Sequence, residues 1–437
     1  RYTLGGSIRF DGSDIFGVAK KYRYLPLYSV SGLWRISDEP FMKNVTVINH
    51  LGLRASYGLQ GNIDKNTSPY LIGIYDQTTI LPGNSEDAIR PSSAPNPDLR
   101  WEKTQSANIG MDLSLWDNII SLSVDYYYRK GTDLIGLRML PLETGYTSTT
   151  VNWAQMENEG VEVALTTRNI HTKDFTWFTN LNFGYNDNTV LRETVAENAI
   201  KPSREGYSVG AIFAYKTAGL DDEGYPLFLT QDGRKVTATE FFKLNNAGAS
   251  TLSAEEQRNL YSYIGSTEPK VSGGFMNTFK YKRVTLGINC IFNFGMYVQT
   301  TPTYDPTNYD RGLNSNRDIL NRWTPDHTNT TLPKLMTEND GRTGEYLRYK
   351  EQNLFRELDI WVKKQNYFRF ESIRLGYELP EKWLKPVGIK SASVSLEGRN
   401  LWVIASNYHN YLDPETMGNP YAAPIPKSFI FGLNVNF

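Results

Sequence analysis

Apolar and polar residues alternate along most of this chain with a period of two, and the last ten residues show the pattern most plainly. Phe429, Phe431, Leu433, Val435 and Phe437 share one parity, and Ser428, Gly432, Asn434 and Asn436 share the other. Successive side chains of a strand point to opposite faces, so the segment predicts a strand with one apolar and one polar face. The alternation recurs upstream. Tyr2, Leu4, Ile8 and Phe10 oppose Thr3, Gly5, Ser7, Arg9 and Asp11; a second strand spans about 27–36; Leu51, Leu53, Ala55, Tyr57 and Leu59 oppose Gly52, Arg54, Ser56, Gly58 and Gln60. Ala107 to Leu115 and Ile120 to Tyr128 form a hairpin around Trp116-Asp117-Asn118, with Asp112, Asp125 and Arg129 on its polar face. Val161 to Leu165, Phe175 to Tyr185, Phe275 to Tyr281, Val284 to Phe294 and Val394 to Leu396 continue the series. Phe368 and Phe370 differ in parity from Ile373, Leu375 and Tyr377, which predicts a bulge near Glu371.

About twelve strands result, and their connections are expected to alternate in length. Segments 37–47, 116–118, 168–174, 282–283 and 380–390 read as short; 61–103, 130–156, 187–270, 296–365 and 401–427 read as long. A soluble sandwich turns the apolar face of such strands inward. A transmembrane barrel turns it to lipid, with small polar residues lining the lumen and long loops gathered at one end. Strands of about ten residues tilted roughly 45° cross a bilayer. Arg54 and Arg129 sit where only a wet interior would accept them, so the expected fold is all-β, a transmembrane antiparallel β-barrel with long extracellular loops.

Composition narrows the alternatives. The 437 residues are 40% hydrophobic and 13% aromatic, with no run long enough for a transmembrane helix. Lys and Arg total 46 against 47 Asp and Glu, a balance that argues against a nucleic-acid binder. A single cysteine, Cys290, excludes an intrachain disulfide framework, and four scattered histidines leave little scope for a metal cluster or cofactor site. The chain opens on Arg1 already in strand register, and the expectation is a piece whose amino-terminal part lies elsewhere.

Ordered short motifs carry a resemblance. They include Arg9-Phe10-Asp11-Gly12-Ser13, Leu53-Arg54-Ala55-Ser56-Tyr57-Gly58, Asn96-Pro97-Asp98-Leu99-Arg100-Trp101-Glu102-Lys103-Thr104, Asn158-Glu159-Gly160-Val161-Glu162, Leu375-Gly376-Tyr377-Glu378-Leu379-Pro380, Gly398-Arg399-Asn400-Leu401, Asp413-Pro414-Glu415 and the terminal Phe437. In order and spacing the chain resembles the carboxy-terminal half of SusC/RagA-type TonB-dependent transporters of Bacteroidetes. The resemblance implies about 22 strands in the complete barrel, roughly twelve of them here, with plug domain and TonB box outside residues 1–437. It further implies outer-membrane import of a glycan or oligopeptide, a SusD-like surface lipoprotein as partner, the TonB complex acting through the plug, and a periplasmic carboxy terminus.

Under that topology the long loops carry the candidates for substrate or lid contact: Tyr304, Tyr309, Arg311, Trp323, Tyr346 and Trp361, in a segment that also holds Arg317, Tyr349 and Phe355. Aromatic rings combine a large apolar face with a polar edge, which suits sugars and peptide side chains alike. The bland alternative is that they pack the loops together. Arg54, Arg129, Glu162, Glu397 and Arg399 are expected to line the lumen, paired with one another or with the plug rather than doing proton chemistry. Asp221-Asp222-Glu223 lacks the spacing of a calcium loop, and Ser253 with Glu256 predicts a capped helix start. Nothing fixes a paired-carboxylate cleft or a nucleophile, so no enzymatic activity is expected. The competing readings are a soluble extracellular all-β carbohydrate-binding or hydrolytic protein, and a passive porin without a plug.

Overall fold

The computed structural model describes the chain except for residues 16–22, 82, 147, 247–248, 307–315, 337–341, 343–353, 407–412 and 420. Twelve strands form one sheet: β1 (Tyr2–Gly12), β2 (Tyr24–Arg35), β3 (Ile48–Asn62), β4 (Glu102–Leu115), β5 (Ile120–Met139), β6 (Ser148–His171), β7 (Phe175–Arg192), β8 (Val271–Tyr281), β9 (Val284–Phe294), β10 (Tyr367–Glu378), β11 (Ser391–Ala405) and β12 (Ser428–Asn436). Each pairs antiparallel with the next in chain order, so the sheet is a simple meander with β1 and β12 at its edges. No helix is long and apolar enough to cross a membrane, which says nothing of strands.

The register keeps the two faces separate across the sheet. One row runs Arg54, Gly110, Asp125, Glu162, Gly184, Ser272; its neighbour runs Leu53, Met111, Val124, Val163, Phe183, Gly273. The expected bulge is present. Register shifts at Phe370/Ser372 and at Asn289/Cys290 let Phe370 face Cys290 and Ile373 face Ile288. A break of parity in sequence therefore becomes one continuous apolar face in space, and Glu371 is held by Asn289 Nδ2 at 2.7 Å.

That apolar face is bare. Leu4 is 87% exposed and Phe431 73%, with Ile109 and Leu396 also open and Leu113 and Val124 half-buried. The largest fully buried side chains, among them Tyr215, Tyr225, Phe228, Phe242, Met336 and Leu358, lie in the connections instead. Burying apolar area is the dominant stabilising term in water. A sheet that leaves its greasiest face uncovered is built for a different solvent, the hydrocarbon of a bilayer.

One expected loop is absent. Residues 130–156 extend β5 to Met139 and begin β6 at Ser148, leaving only 140–147 as the connection. A register shift between Gly131 and Leu134, with Asp133 at φ 57°, interrupts the parity there, so the extension is invisible to a period-two reading. The joints at 36–47 and 379–390 contain short helical turns and are longer than this one, so connection length does not alternate strictly. The other end of the β4–β5 hairpin follows the sequence: Trp116, Asp117 and Asn118 all take positive φ.

The connections 193–270 and 295–366 fold together around a shared core of Tyr215, Phe228, Phe241, Phe242, Leu358 and Trp361, among others. Ser253 caps the helix Ala254–Arg258 in the expected capping box, its hydroxyl accepting from Glu256 N and the Glu256 carboxylate accepting from Ser253 N. Ser253→Ala is expected to weaken this turn by about 1 kcal/mol. Faster amide exchange confined to residues near 254–258 is the readout, and unchanged exchange would contradict the cap's role.

Candidate functional site

The polar wall is built around Arg54. Its Nε donates to Asp112 Oδ2 at 2.7 Å, and its Nη2 to Asp125 Oδ2 at 3.0 Å and Ser123 Oγ at 3.2 Å. Three neighbouring strands thus share one guanidinium, a planar donor suited to such bridging. Gly110 makes the approach possible: a Cβ there would sit 2.3 Å from Asp125 Oδ1 and 2.9 Å from Arg54 Nη2. Arg129 lies over the Tyr127 ring at 4.8 Å, while the Tyr127 hydroxyl donates to Asn186 Oδ1 at 2.7 Å. Glu397 and Arg399 pair at 2.6 Å, and exposed Glu162 stands beside Asp125 in the same row. The sequence names Arg54 but not its two carboxylate partners. They were visible only as polar-parity residues, because which of them meets Arg54 depends on register.

The loop candidates separate. Tyr304 and Trp361 are buried in the shared loop core, where the Tyr304 hydroxyl donates to Pro333 O at 2.6 Å and burial pushes its phenol up. Trp361 packs edge-on against Phe355 with centroids 5.2 Å apart. Trp323 is half-buried against Gly224, whose φ of 84° and missing Cβ leave room for the indole. Tyr309, Arg311 and Tyr346 lie outside the described residues, as does Tyr349. For Tyr304 and Trp361 the geometry is that of loop packing. Asp221 Oδ1 accepts from Glu223 N and Tyr225 N, and its other oxygen pairs with Arg342. Among the described residues no group of three His, Cys, Asp or Glu is placed to hold a metal.

Two motifs acquire structural roles that the sequence did not specify. Asn96 to Thr104 rivets the 63–101 connection onto the β5–β6 extension. Leu99 and Trp101 are buried with Leu25 and Leu27; Asn96 Nδ2 donates to Thr150 O at 2.7 Å; Arg100 Nη2 pairs with Asp133 at 2.6 Å; Asn152 Nδ2 donates to both Arg100 O and Asp133 O. Asp413-Pro414-Glu415 reaches β10. Arg369, 2% exposed on the polar parity, donates from Nη2 to Asp413 and from Nε to Glu415, each at 2.5 Å.

Where 193–270 leaves β7, Glu193 accepts from the Arg204 backbone and guanidinium. Burial pushes the Glu193 carboxyl up, but Arg204 outweighs it and holds the group below its ordinary value. A depressed carboxylate stabilises the fold above the unfolded-state pKa of about 4.3, and that contribution is lost as pH falls through the lower folded value. Acidification through and below the ordinary carboxylate range is therefore expected to lower the amide protection factors at 193–207, taken against the intrinsic exchange rate at each pH. Glu193→Gln should remove most of that pH dependence, and a variant with the wild-type profile would contradict the assignment.

A family model described as TonB dependent receptor-like, beta-barrel, matches residues 1–219. TonB-dependent receptor P3 of Formosa agariphila is 27% identical over 100% of this chain and 44% of its own length. TonB-dependent receptor SusC of Bacteroides thetaiotaomicron is 23% identical over 100% of this chain and 42% of its own. The structure of the RagAB peptide transporter superposes with a TM-score of 0.78 at 25% identity, covering 100% of this chain and 46% of that one. The chain therefore spans less than half the length of these relatives. With the match running from β1 into the 193–270 connection and the remaining strands continuing the same meander, the chain belongs to the TonB-dependent receptor-like β-barrel family of the outer membrane, in its SusC/RagA branch.

Proposed function

We propose that this chain forms the carboxy-terminal wall and much of the outer loop surface of a TonB-dependent importer of a glycan or oligopeptide. The observation that carries the reading is the uncovered apolar face of a twelve-stranded meander backed by a charged, hydrogen-bonded polar face. An open sheet would leave two strand edges unpaired in lipid, at a cost of several kcal/mol for each unsatisfied backbone group. The working barrel thus draws its remaining strands, and its plug, from an amino-terminal half of the same transporter. Long connections face outward, where a SusD-like surface lipoprotein covers them; the carboxy terminus faces the periplasm, and the TonB complex acts through the plug. The RagAB relative is described as a peptide transporter. Import, not hydrolysis, is the activity.

Cargo uptake by cells expressing the complete receptor tests this. Uptake should collapse with a protonophore and on deleting the TonB-contacting segment. Uptake indifferent to both would mean a passive porin. A receptor that stays monodisperse without detergent would mean the soluble reading.

A further inference from the structure

The turns joining β6 to β7, β8 to β9 and β10 to β11 lie side by side at one end of the sheet, the end at which β12 finishes. Backbone hydrogen bonds fasten each to its neighbour: Lys282 N donates to Asp174 O at 2.8 Å, Glu378 N to Arg283 O at 2.9 Å, and Lys390 N to Asn436 O at 2.8 Å. The ridge they form is basic. Segments 172–174, 280–283 and 378–390 carry seven Lys or Arg against three Asp or Glu, in a chain whose 46 basic residues are matched overall by 47 acidic ones. Two of the three acids are paired within the ridge, Glu378 with Lys280 at 2.9 Å and Glu381 with Lys385 at 3.5 Å. Lys173, Lys282, Lys382 and Lys390 are exposed and form no ion pair among the described residues, which leaves Asp174 as the one acid to offset them.

Apolar side chains are interleaved with these cations. Tyr281 is 55% exposed on the apolar face of the sheet, in a row with Phe175 and Val284. The Lys282 ammonium lies 5.4 Å from the centroid of that ring, so its charge is held on the lipid side of the wall rather than over the lumen. In the β10–β11 turn, buried Leu384 anchors the helix Glu381–Leu384 and leaves Trp383 58% and Val387 66% exposed among Lys382, Lys385 and Lys390. A solvated turn has no need of an exposed indole between ammonium groups. At the boundary of a bilayer the combination has a physical basis: the indole settles at headgroup depth while the lysine stems reach the phosphates.

We infer that this ridge binds an anionic phospholipid, with Lys282 and Lys173 at the headgroup phosphate and the Tyr281–Val284 row against the acyl chains. The inference goes beyond the import reading and needs only that the apolar face meets lipid; with the carboxy terminus in the periplasm, the lipid belongs to the periplasmic leaflet. Charge complementarity selects the occupant. A zwitterionic headgroup brings no net charge to the four uncompensated ammonium groups, whereas an anionic one gains roughly fivefold in affinity for each basic residue near the surface. The phosphate group by itself is held weakly, because exposed cations act through high dielectric and are screened by salt. Acyl chains lying on the apolar row supply the remaining attraction.

The test uses the complete receptor in nanodiscs of equal parts phosphatidylglycerol and phosphatidylcholine with matched acyl chains. Native mass spectrometry of the released receptor reads which lipid stays bound. Phosphatidylglycerol is expected to be retained about fivefold or more over phosphatidylcholine. The double variant Lys173→Gln, Lys282→Gln should bring the ratio to within about twofold of parity. Lys130→Gln, toward the long-loop end of β5 and on the same face as Tyr128, should leave the ratio unchanged. No preference in the wild type, a double variant that keeps it, or a Lys130 variant that loses it would each overturn the inference. Displacement of the lipid by millimolar glycerol phosphate would overturn it too, since that would mark a site for the free anion. Energised uptake without any lipid preference would leave the import reading standing. Lipid preference lost with Lys173 and Lys282 in a receptor without energised uptake would instead remove the import reading and keep the ridge.

Discussion

Arg369→Met is expected to cost about 3–5 kcal/mol, the penalty for stranding a buried charge by removing its partner. Arg369 and Asp413 have side chains only 3% and 5% exposed, and Glu415 completes the arrangement at 28%. Methionine preserves much of the arginine's volume, so the loss would report the uncompensated Asp413 rather than a cavity. The 406–427 connection should detach first, because this guanidinium ties it to β10. Denaturant titration of the complete receptor in lipid vesicles gives the energy, and protease cutting within 406–427 gives the location. Replacing all three residues with apolar ones of similar volume should recover most of the loss, since a buried ion pair repays its own desolvation poorly. Wild-type stability in Arg369→Met would mean that the contact does not hold the connection.

Val124→Arg is expected to cost about 2–4 kcal/mol in a bilayer, the penalty for a cation on the lipid face near the midplane. Its partner test is Ala164→Arg. Ala164 pairs with Ser123, one row from the Val124–Val163 pair and on the opposite face. It is exposed on the polar wall near Asp125 and Glu162, so arginine there should cost little. Folding yield into vesicles and heat-modifiable migration compare the two. Equal costs, or a larger cost for Ala164→Arg, would reverse the assignment of faces and with it the barrel.

The fold was legible to the extent that it depends on a period of two. Twelve segments with consistent parity become twelve neighbouring strands, and even the parity break at Glu371 reads correctly as a bulge. The β5–β6 extension was not legible, because the shift at Gly131–Leu134 resets the alternation that would have announced it. The site was less accessible still. Arg54 stands out as a cation in a strand, but Asp112 and Asp125 are ordinary polar positions until register brings them to its guanidinium. Aromatic richness singled out Tyr304 and Trp361, which the loop core buries.

By itself, then, the sequence determined where the strands run and which residues share a face, because side-chain alternation is a local consequence of backbone geometry. Only the tertiary structure decided which carboxylates share an arginine, which aromatic rings the loop core buries, and where the loops are tied down. Those outcomes join residues far apart in the chain, such as Arg54 with Asp125 and Arg369 with Asp413, through register and loop closure that no local pattern encodes.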